Sequence, residues 1–428
     1  MPNFWNRRKF LKTSAFAGAA VSGIPHIWIK DDSLMANAAT GDTIDVGVLF
    51  SLTGPLEVPE RSLSDVTRMA INEINSAGGI SGRMINPIVE DGASDPKIYS
   101  EKASKLVISD KTVTTFGSYT TASRLAARPV FEKRKNLYFY PTFYEGSECS
   151  QNIVYTGAVP NQQLYNLVPW MVNTLGKKKI FIVGSNYAYP KGMAQVSKSL
   201  LEANNAEWVA DEYLELGDTE WGAMVTKIKN SGCDAVLSNV VSGPSISAFY
   251  REFRNAGMTQ EEVPICATVA SEIEIAAMGA EFAAGSYSSF PYFQAIDRPE
   301  NHDFIQRWRD FSKDPAAVTH HPLESSYFQV YIWKQAVETV LNAGEDLTPM
   351  AIREATRGQE FDAPGGTVKI HPDNMHTYLR PRIAQWGDDG QGKIIDEEDL
   401  TCPLPYAISG ETEDNLYCTA AGLDSSKL

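Results

Sequence analysis

Short apolar runs and amphipathic stretches alternate along this chain, and that alternation is what limits the folds open to it. Ile180-Phe181-Ile182-Val183-Gly184 is continuously apolar and ends at a glycine, as expected of a parallel strand buried on both faces. A helical stretch over 192–203 follows it. Near the start, 43–50 reads as a strand, SLTGPLEVPE as a loop, and 62–76 as a helix. Val66, Met69, Ala70 and Ile74 share one face of that helix, and Gly78-Gly79 ends it. The same unit recurs through strands at 85–91, 113–117, 137–141, 153–156, 235–241, 263–267 and 287–290. The helices fall at 96–109, 121–134, 247–256 and 324–342, with one from Asn161 that contains Pro169. Short strands are expected at 367–396. Strands joined by helices form parallel sheets covered on both faces. The units outnumber what one sheet holds comfortably, so the expected fold is α/β with two doubly wound lobes. Ligands of such folds sit beyond the carboxyl ends of the strands.

The first residues are not fold. Asn6-Arg7-Arg8-Lys9-Phe10-Leu11-Lys12 resembles a twin-arginine export signal. An Ala/Gly-rich stretch and Ala36-Asn37-Ala38, an A-x-A cleavage pattern, follow. Residues 1–38 are therefore expected to be removed and the mature chain to be periplasmic. No later stretch reaches the roughly 18 apolar residues of a membrane span. With 38 basic against 53 acidic residues, net −15, the chain lacks the basic face that nucleic-acid binding requires. Five cysteines in 428 residues exclude a disulfide-built scaffold. In an oxidising compartment Cys402 and Cys418, close in sequence and set in loops, are the expected bridge. Cys233 and Cys266, beside apolar runs, are expected as buried thiols, and Cys149 has no evident partner.

No catalytic constellation occurs. The chain contains no G-x-S-x-G elbow, G-x-G-x-x-G fingerprint, Walker A loop or H-E-x-x-H helix. His320-His321 and the His371/His376 pair lack metal-ligand spacing, and Gly390-Gln391-Gly392 lacks that of a calcium loop. Neither an enzyme nor a metal or other cofactor is expected. The strand ends are instead rich in hydroxyl groups and tyrosines.

Several segments are similar to the periplasmic substrate-binding proteins of ABC importers, type I class, and within it to the amide- and urea-binding branch. They are FGSYTTASR at 116–124, FYPTFYEGSECSQNIVYTGAVPNQQ at 139–163 and VGSNYAYPKG at 183–192, with GRMINPIVEDGASDP at 82–96 and DAPGGTVKIHPDNMH at 362–376. The resemblance covers essentially all of the mature chain. It implies a clamshell with a three-crossing hinge, lobe one being 42–160 plus 288–370 and lobe two 161–287 plus 371–428. It implies lobe-one ligand contacts at Tyr119, Thr121, Tyr140 and Thr142, lobe-two contacts at Tyr187 and Tyr189, and an apolar wall at Val240 and Val241. The implied ligand is urea or a short-chain amide, whose carbonyl and NH2 group hydroxyls can serve from both sides. The implied partner is a membrane permease, with the receptor a monomer or weak dimer. Two alternatives stand beside this: a branched-chain or other amino-acid-binding protein of the same class, and an amide sensor regulating a partner.

Overall fold

The computed structural model describes residues 43–428; the expected export signal, residues 1–38, lies outside them. The first sheet is built from β1 (Ile44–Phe50), β2 (Ile85–Asp91), β3 (Thr114–Gly117), β4 (Leu137–Tyr140) and β5 (Ile153–Tyr155). All five strands are parallel, in the order β2-β1-β3-β4-β5. Between them run α1 (Glu57–Ser76), α2 (Pro96–Ser104) and α3 (Thr121–Arg134). Successive strand residues face opposite sides. Val48, Phe139 and Val154 belong to the same core as the inner face of α1, while Leu49, Tyr138, Tyr140 and Tyr155 join a second core with Tyr99 and Phe131.

The second sheet holds β6 (Lys179–Ser185), β7 (Glu207–Leu214), β8 (Ala235–Asn239), β9 (Ile265–Ala267) and β10 (Tyr287–Phe290). With them come α4 (Leu164–Asn173), α5 (Ala188–Ala203), α6 (Gly222–Ser231), α7 (Gly243–Asn255), α8 (Glu272–Met278) and α9 (Ala280–Ala283). The chain then returns to the first lobe with α10 (Pro299–Ser312), α11 (His321–Asn342) and α12 (Pro349–Thr356). There the Trp333 indole donates to Thr114 Oγ1 at 2.9 Å. β11 (Glu360–Ala363), β12 (Gly366–Ile370) and β13 (Thr377–Tyr378) form a small antiparallel sheet. β14 (Arg382–Trp386) and β15 (Gly392–Glu397) then extend the second sheet beyond β10.

Three crossings therefore join the lobes, after β5, β10 and β13, and side chains tie them together. Gln163 Nε2 donates to the Thr268 and Ser289 carbonyls, and Gln162 Nε2 to those of Thr377 and Thr401. The observed lobe bounds differ from those expected. The second sheet runs to Phe290, and His376 bridges to Tyr155 in the first lobe. The tail beyond Cys402 lies against the loop at Cys149 instead of belonging wholly to lobe two.

That tail overturns the expected cysteine pairing. Cys149 is bonded to Cys418, and Cys402 is a buried free thiol, as are Cys233 and Cys266. The reason is topological. Asn161 Nδ2 holds the Cys402 carbonyl at 2.8 Å and Gln151 Nε2 holds that of Thr419 at 2.7 Å. These contacts carry the end of the chain to the loop after β4, 269 residues away in sequence.

Candidate functional site

The carboxyl ends of β1, β3 and β4 form the cleft edge of lobe one. Leu49 lies opposite Gly117, and the Ser118 N–H donates to the Leu49 carbonyl at 2.9 Å. Gly117 fits because any Cβ there would collide with the Leu49 carbonyl. The first turn of α1 carries Glu60 back under this edge. Its Oε2 accepts the Ser51 N–H at 2.8 Å and the Tyr99 hydroxyl. Its Oε1 is buried and has no partner. The residue is 0% exposed. The adjacent Arg61 turns outward to Glu57, at 2.8 Å, and to the Leu52 carbonyl. Burial pushes the Glu60 carboxyl up to about 7, against the Tyr99 and Ser51 hydrogen bonds and with a small push from Asp91.

Lobe two presents a matching chain of hydrogen bonds. Tyr189, in the first turn of α5, lies 3.1 Å from Thr268 Oγ1, which donates to Asn239 Oδ1 at 2.6 Å. Asn239 closes β8, and its Nδ2 is buried without a partner. Glu274 caps α8, accepting the Ser271 N–H at 2.9 Å and its hydroxyl at 2.7 Å. Burial raises this carboxyl also to about 7.

The lobes meet over the cleft. Phe143 of lobe one lies 5.4 Å from the Tyr189 ring. A Cβ on Gly192 would come within 2.6 Å of Glu145 Cβ, so a glycine in α5 permits this approach. Burial raises the Tyr119 phenol, and Glu274 and then Glu60 add to it.

The expected site residues are distributed unevenly over this cleft. Tyr119, just beyond β3, is buried, and Tyr187, which precedes α5, has its ring 6.5 Å from that of Tyr189. Thr121 opens α3, but its hydroxyl donates to Glu145 Oε2 at 2.7 Å. Tyr140 donates to the Tyr119 carbonyl at 2.8 Å and stacks under Arg124, which ties it to the lobe-one core. Thr142 is buried, its hydroxyl 3.5 Å from the Ser118 carbonyl. Val240 and Val241 are buried beyond β8, where Val241 N–H donates to Ser185 Oγ at 3.0 Å. Glu60, Asn239, Thr268 and Glu274 were not among the expected residues. The available signal was an acidic residue, Glu60, at the end of SLTGPLEVPE, which reads as a loop but whose residues from Glu57 onward begin α1.

The arrangement offers hydrogen-bond acceptors and donors to a small polar solute. Burial lowers His320 and His321 to about 3, so both rings are neutral. Among the described residues no group of three or more His, Cys, Asp and Glu is placed to hold a metal.

Two doubly wound lobes, a triple hinge and a polar cleft between strand ends define a solute-binding protein. The chain belongs to the family described as the periplasmic binding protein domain, whose model matches residues 44–411. It is 24% identical over 373 residues to Leu/Ile/Val-binding protein homolog 6 of Brucella abortus (strain 2308), covering 84% of this chain and 92% of that protein. It is 25% identical over 355 residues to the leucine-, isoleucine-, valine-, threonine- and alanine-binding protein of Pseudomonas aeruginosa, covering 81% and 91%. Among solved structures it resembles a solute-binding protein of an ABC transporter from Rhodopseudomonas palustris HaA2 in complex with p-hydroxybenzoic acid. That match has a TM-score of 0.78 and 21% identity, over 86% of this chain and 100% of that one. The isoleucine complex of LivJ from Streptococcus pneumoniae matches with a TM-score of 0.71 and 21% identity, over 83% and 99%.

Proposed function

We propose that this protein is an exported receptor that hands a small nitrogen-bearing solute, an aliphatic amino acid, to the permease of an ABC importer. The observation that carries the reading is the buried carboxyl of Glu60 at the lobe-one strand ends, whose Oε1 has no partner, with no ion pair to Glu60 or Glu274 among the described residues. A buried acceptor without a cation favours a ligand that brings N–H donors or positive charge. The names of the Brucella and Pseudomonas relatives point the same way. Calorimetry with leucine, isoleucine, valine, threonine and alanine tests it, and a micromolar or tighter Kd for at least one is expected. Heat from benzoates alone would overturn it.

A second reading, urea or a short-chain amide, is favoured by Tyr119, Tyr187 and Tyr189 crowding one cleft. In that reading Thr121 and Thr142 hold the ligand from lobe one while Tyr187 and Tyr189 close from lobe two. Adding urea, formamide and acetamide to the same panel decides between the two. Export by the twin-arginine route is part of the proposal. The R7K/R8K double variant should leave precursor in the cytoplasm, and unchanged periplasmic yield would refute that route.

A further inference from the structure

Lobe one buries a carboxyl group of which half is fully engaged and half is not. Glu60 Oε2 takes the Ser51 N–H and the Tyr99 hydroxyl, while Oε1, equally buried, takes nothing. Ser51 Oγ is itself occupied, accepting the Ser94 N–H at 2.9 Å and lying 3.0 Å from the Tyr99 hydroxyl. The hydrogen bonds around the carboxyl therefore fix its orientation and leave one oxygen over at the strand end. A buried acceptor left in this way is costly, and natural folds retain such a cost mainly where function uses the group.

We propose that Glu60 Oε1 accepts an N–H from the nitrogen end of the bound solute, so that this carboxyl group selects nitrogen-bearing ligands over those that present only acceptors. The inference rests on the reading of the protein as a receptor for such a solute, and it fits an ammonium and a primary amide alike. It has a consequence for protons. Facing Glu60 are Tyr99 from α2, Asp91 at the end of β2, Tyr119 beyond β3 and Tyr138 from β4, with no cation among them. Asp91 is itself saturated by the Leu52 and Ala93 N–H groups and the Thr53 hydroxyl. Without ligand the carboxyl is therefore half protonated near neutral pH. Only the ionised form offers Oε1 as an acceptor in either orientation, so binding releases a proton. An acid that titrates near 7 is about tenfold more ionised at pH 8 than at pH 6, so affinity should be roughly tenfold tighter at pH 8.

The test is calorimetric titration of leucine and of acetamide into wild type and Glu60→Gln at pH 6, 7 and 8, in phosphate and in Tris. These buffers differ in ionisation heat and so report the proton count. Expected for the solute that binds are release of roughly half a proton at pH 7, a tenfold affinity gain from pH 6 to 8, and loss of both in Glu60→Gln. That variant should bind about tenfold or more weakly at pH 8, because its amide would present an N–H to the ligand N–H. The wild-type proton count needs no variant, so it stands even if Glu60→Gln fails to fold. Equal heats in both buffers, or the same linkage in Glu60→Gln, would leave the nitrogen-solute reading standing and overturn the Glu60 contact. Proton uptake would show Glu60 donating to a ligand oxygen and would also overturn it. Absence of heat from leucine and acetamide, and from isoleucine, valine, threonine, alanine, urea and formamide alike, would overturn the reading together with the contact.

Discussion

Lobe one buries two glutamates beneath tyrosine hydroxyls and gives them opposite electrostatics. Glu148 accepts Arg124 Nε at 3.1 Å, Arg124 Nη2 at 3.1 Å and the Tyr155 hydroxyl at 2.7 Å, with Arg128 Nη1 at 3.4 Å. Arg124 in turn stacks over Tyr140 and Tyr144, at 4.6 and 4.3 Å, and Tyr144 lies 2.6 Å from His376 Nε2. Burial opposes the Glu148 charge, but Arg124, Tyr155 and Arg128 outweigh it, and the carboxyl sits below its ordinary value. Glu60 has the tyrosine and the backbone N–H but no cation, and burial wins. In the first cluster both carboxylate oxygens are engaged, although Arg124 Nη1 and Arg128 Nε find no hydrogen-bond partner, and it joins α3, the loop after β4 and the segment around His376. The second is incomplete and lies at the cleft edge. A buried carboxyl with both oxygens engaged ties elements together, whereas Glu60 keeps one oxygen over at a strand end.

The comparison breaks most visibly at Arg124. Replacing it with Met strips Glu148 of its main partner while keeping much of the volume. A buried charge left uncompensated costs about 3–5 kcal/mol, to be read from urea unfolding at pH 7. The sign with pH is fixed by the shift. Glu148 titrates lower in the fold than unfolded, so its contribution is present above about pH 4.5 and lost as pH falls below that. The cost of Arg124→Met should therefore shrink in acid. A pH-independent loss would mean that packing over Tyr140 and Tyr144, not charge, is what Arg124 supplies.

The disulfide sharpens the same contrast, since Cys149 adjoins Glu148 and binds the tail to this completed region. The Cys149→Ser/Cys418→Ser variant should lose about 2–5 kcal/mol, because the bridge closes a very long loop. Thiol titration of the denatured, unreduced protein should find three free groups, Cys233, Cys266 and Cys402. Five would refute the bridge.

Glu60 should behave in the opposite sense. Its folded carboxyl titrates near 7 against an ordinary 4.5, so the native state holds the extra proton. Stability is then lost as pH rises from 4.5 through 7. Glu60→Gln mimics the protonated acid and should be more stable than wild type at pH 8, by up to about 3 kcal/mol, and equal to it at pH 4. Equal stability at both pH values would place the charge in water and end the comparison.

What sequence reveals and what it hides follow the same divide. The buried parallel strands are legible because both faces are apolar, as at Ile180–Val183, and α1 because its inner face repeats with helical period. β7, Glu207–Leu214, is not legible. It is the edge strand of its sheet, exposed at Glu207 and Trp208, and its EWVADEYL has no apolar run longer than Trp208-Val209-Ala210. α10 hides for a related reason, burying only Asn301, Phe304 and Trp308. Tyr119, Tyr187 and Tyr189 come from resemblance and strand-end position. Glu60 is missed because a charge in a loop reads as solvated, and only tertiary packing removes its water. The Cys149–Cys418 pairing is hidden because a separation of 269 residues carries no local signal.

The smallest effect is expected at Thr142, which lies between the two regions. Its hydroxyl reaches the Ser118 carbonyl only at 3.5 Å, at the limit of a useful hydrogen bond, so it contributes little to the fold. Ser118 Oγ is already taken by the Tyr138 hydroxyl. The Thr142 hydroxyl is thus a weakly committed donor at the cleft edge, unlike that of Thr121, which is held by Glu145. Thr142→Val keeps the shape and removes the donor. Stability should change by less than about 0.5 kcal/mol, while solute affinity should fall about fivefold, the loss of roughly 1 kcal/mol from one neutral hydrogen bond. Thr121→Val should cost stability as well, because Glu145 loses its partner. If both valine variants destabilise equally and bind normally, the Thr142 hydroxyl belongs with the completed region and not with the cleft.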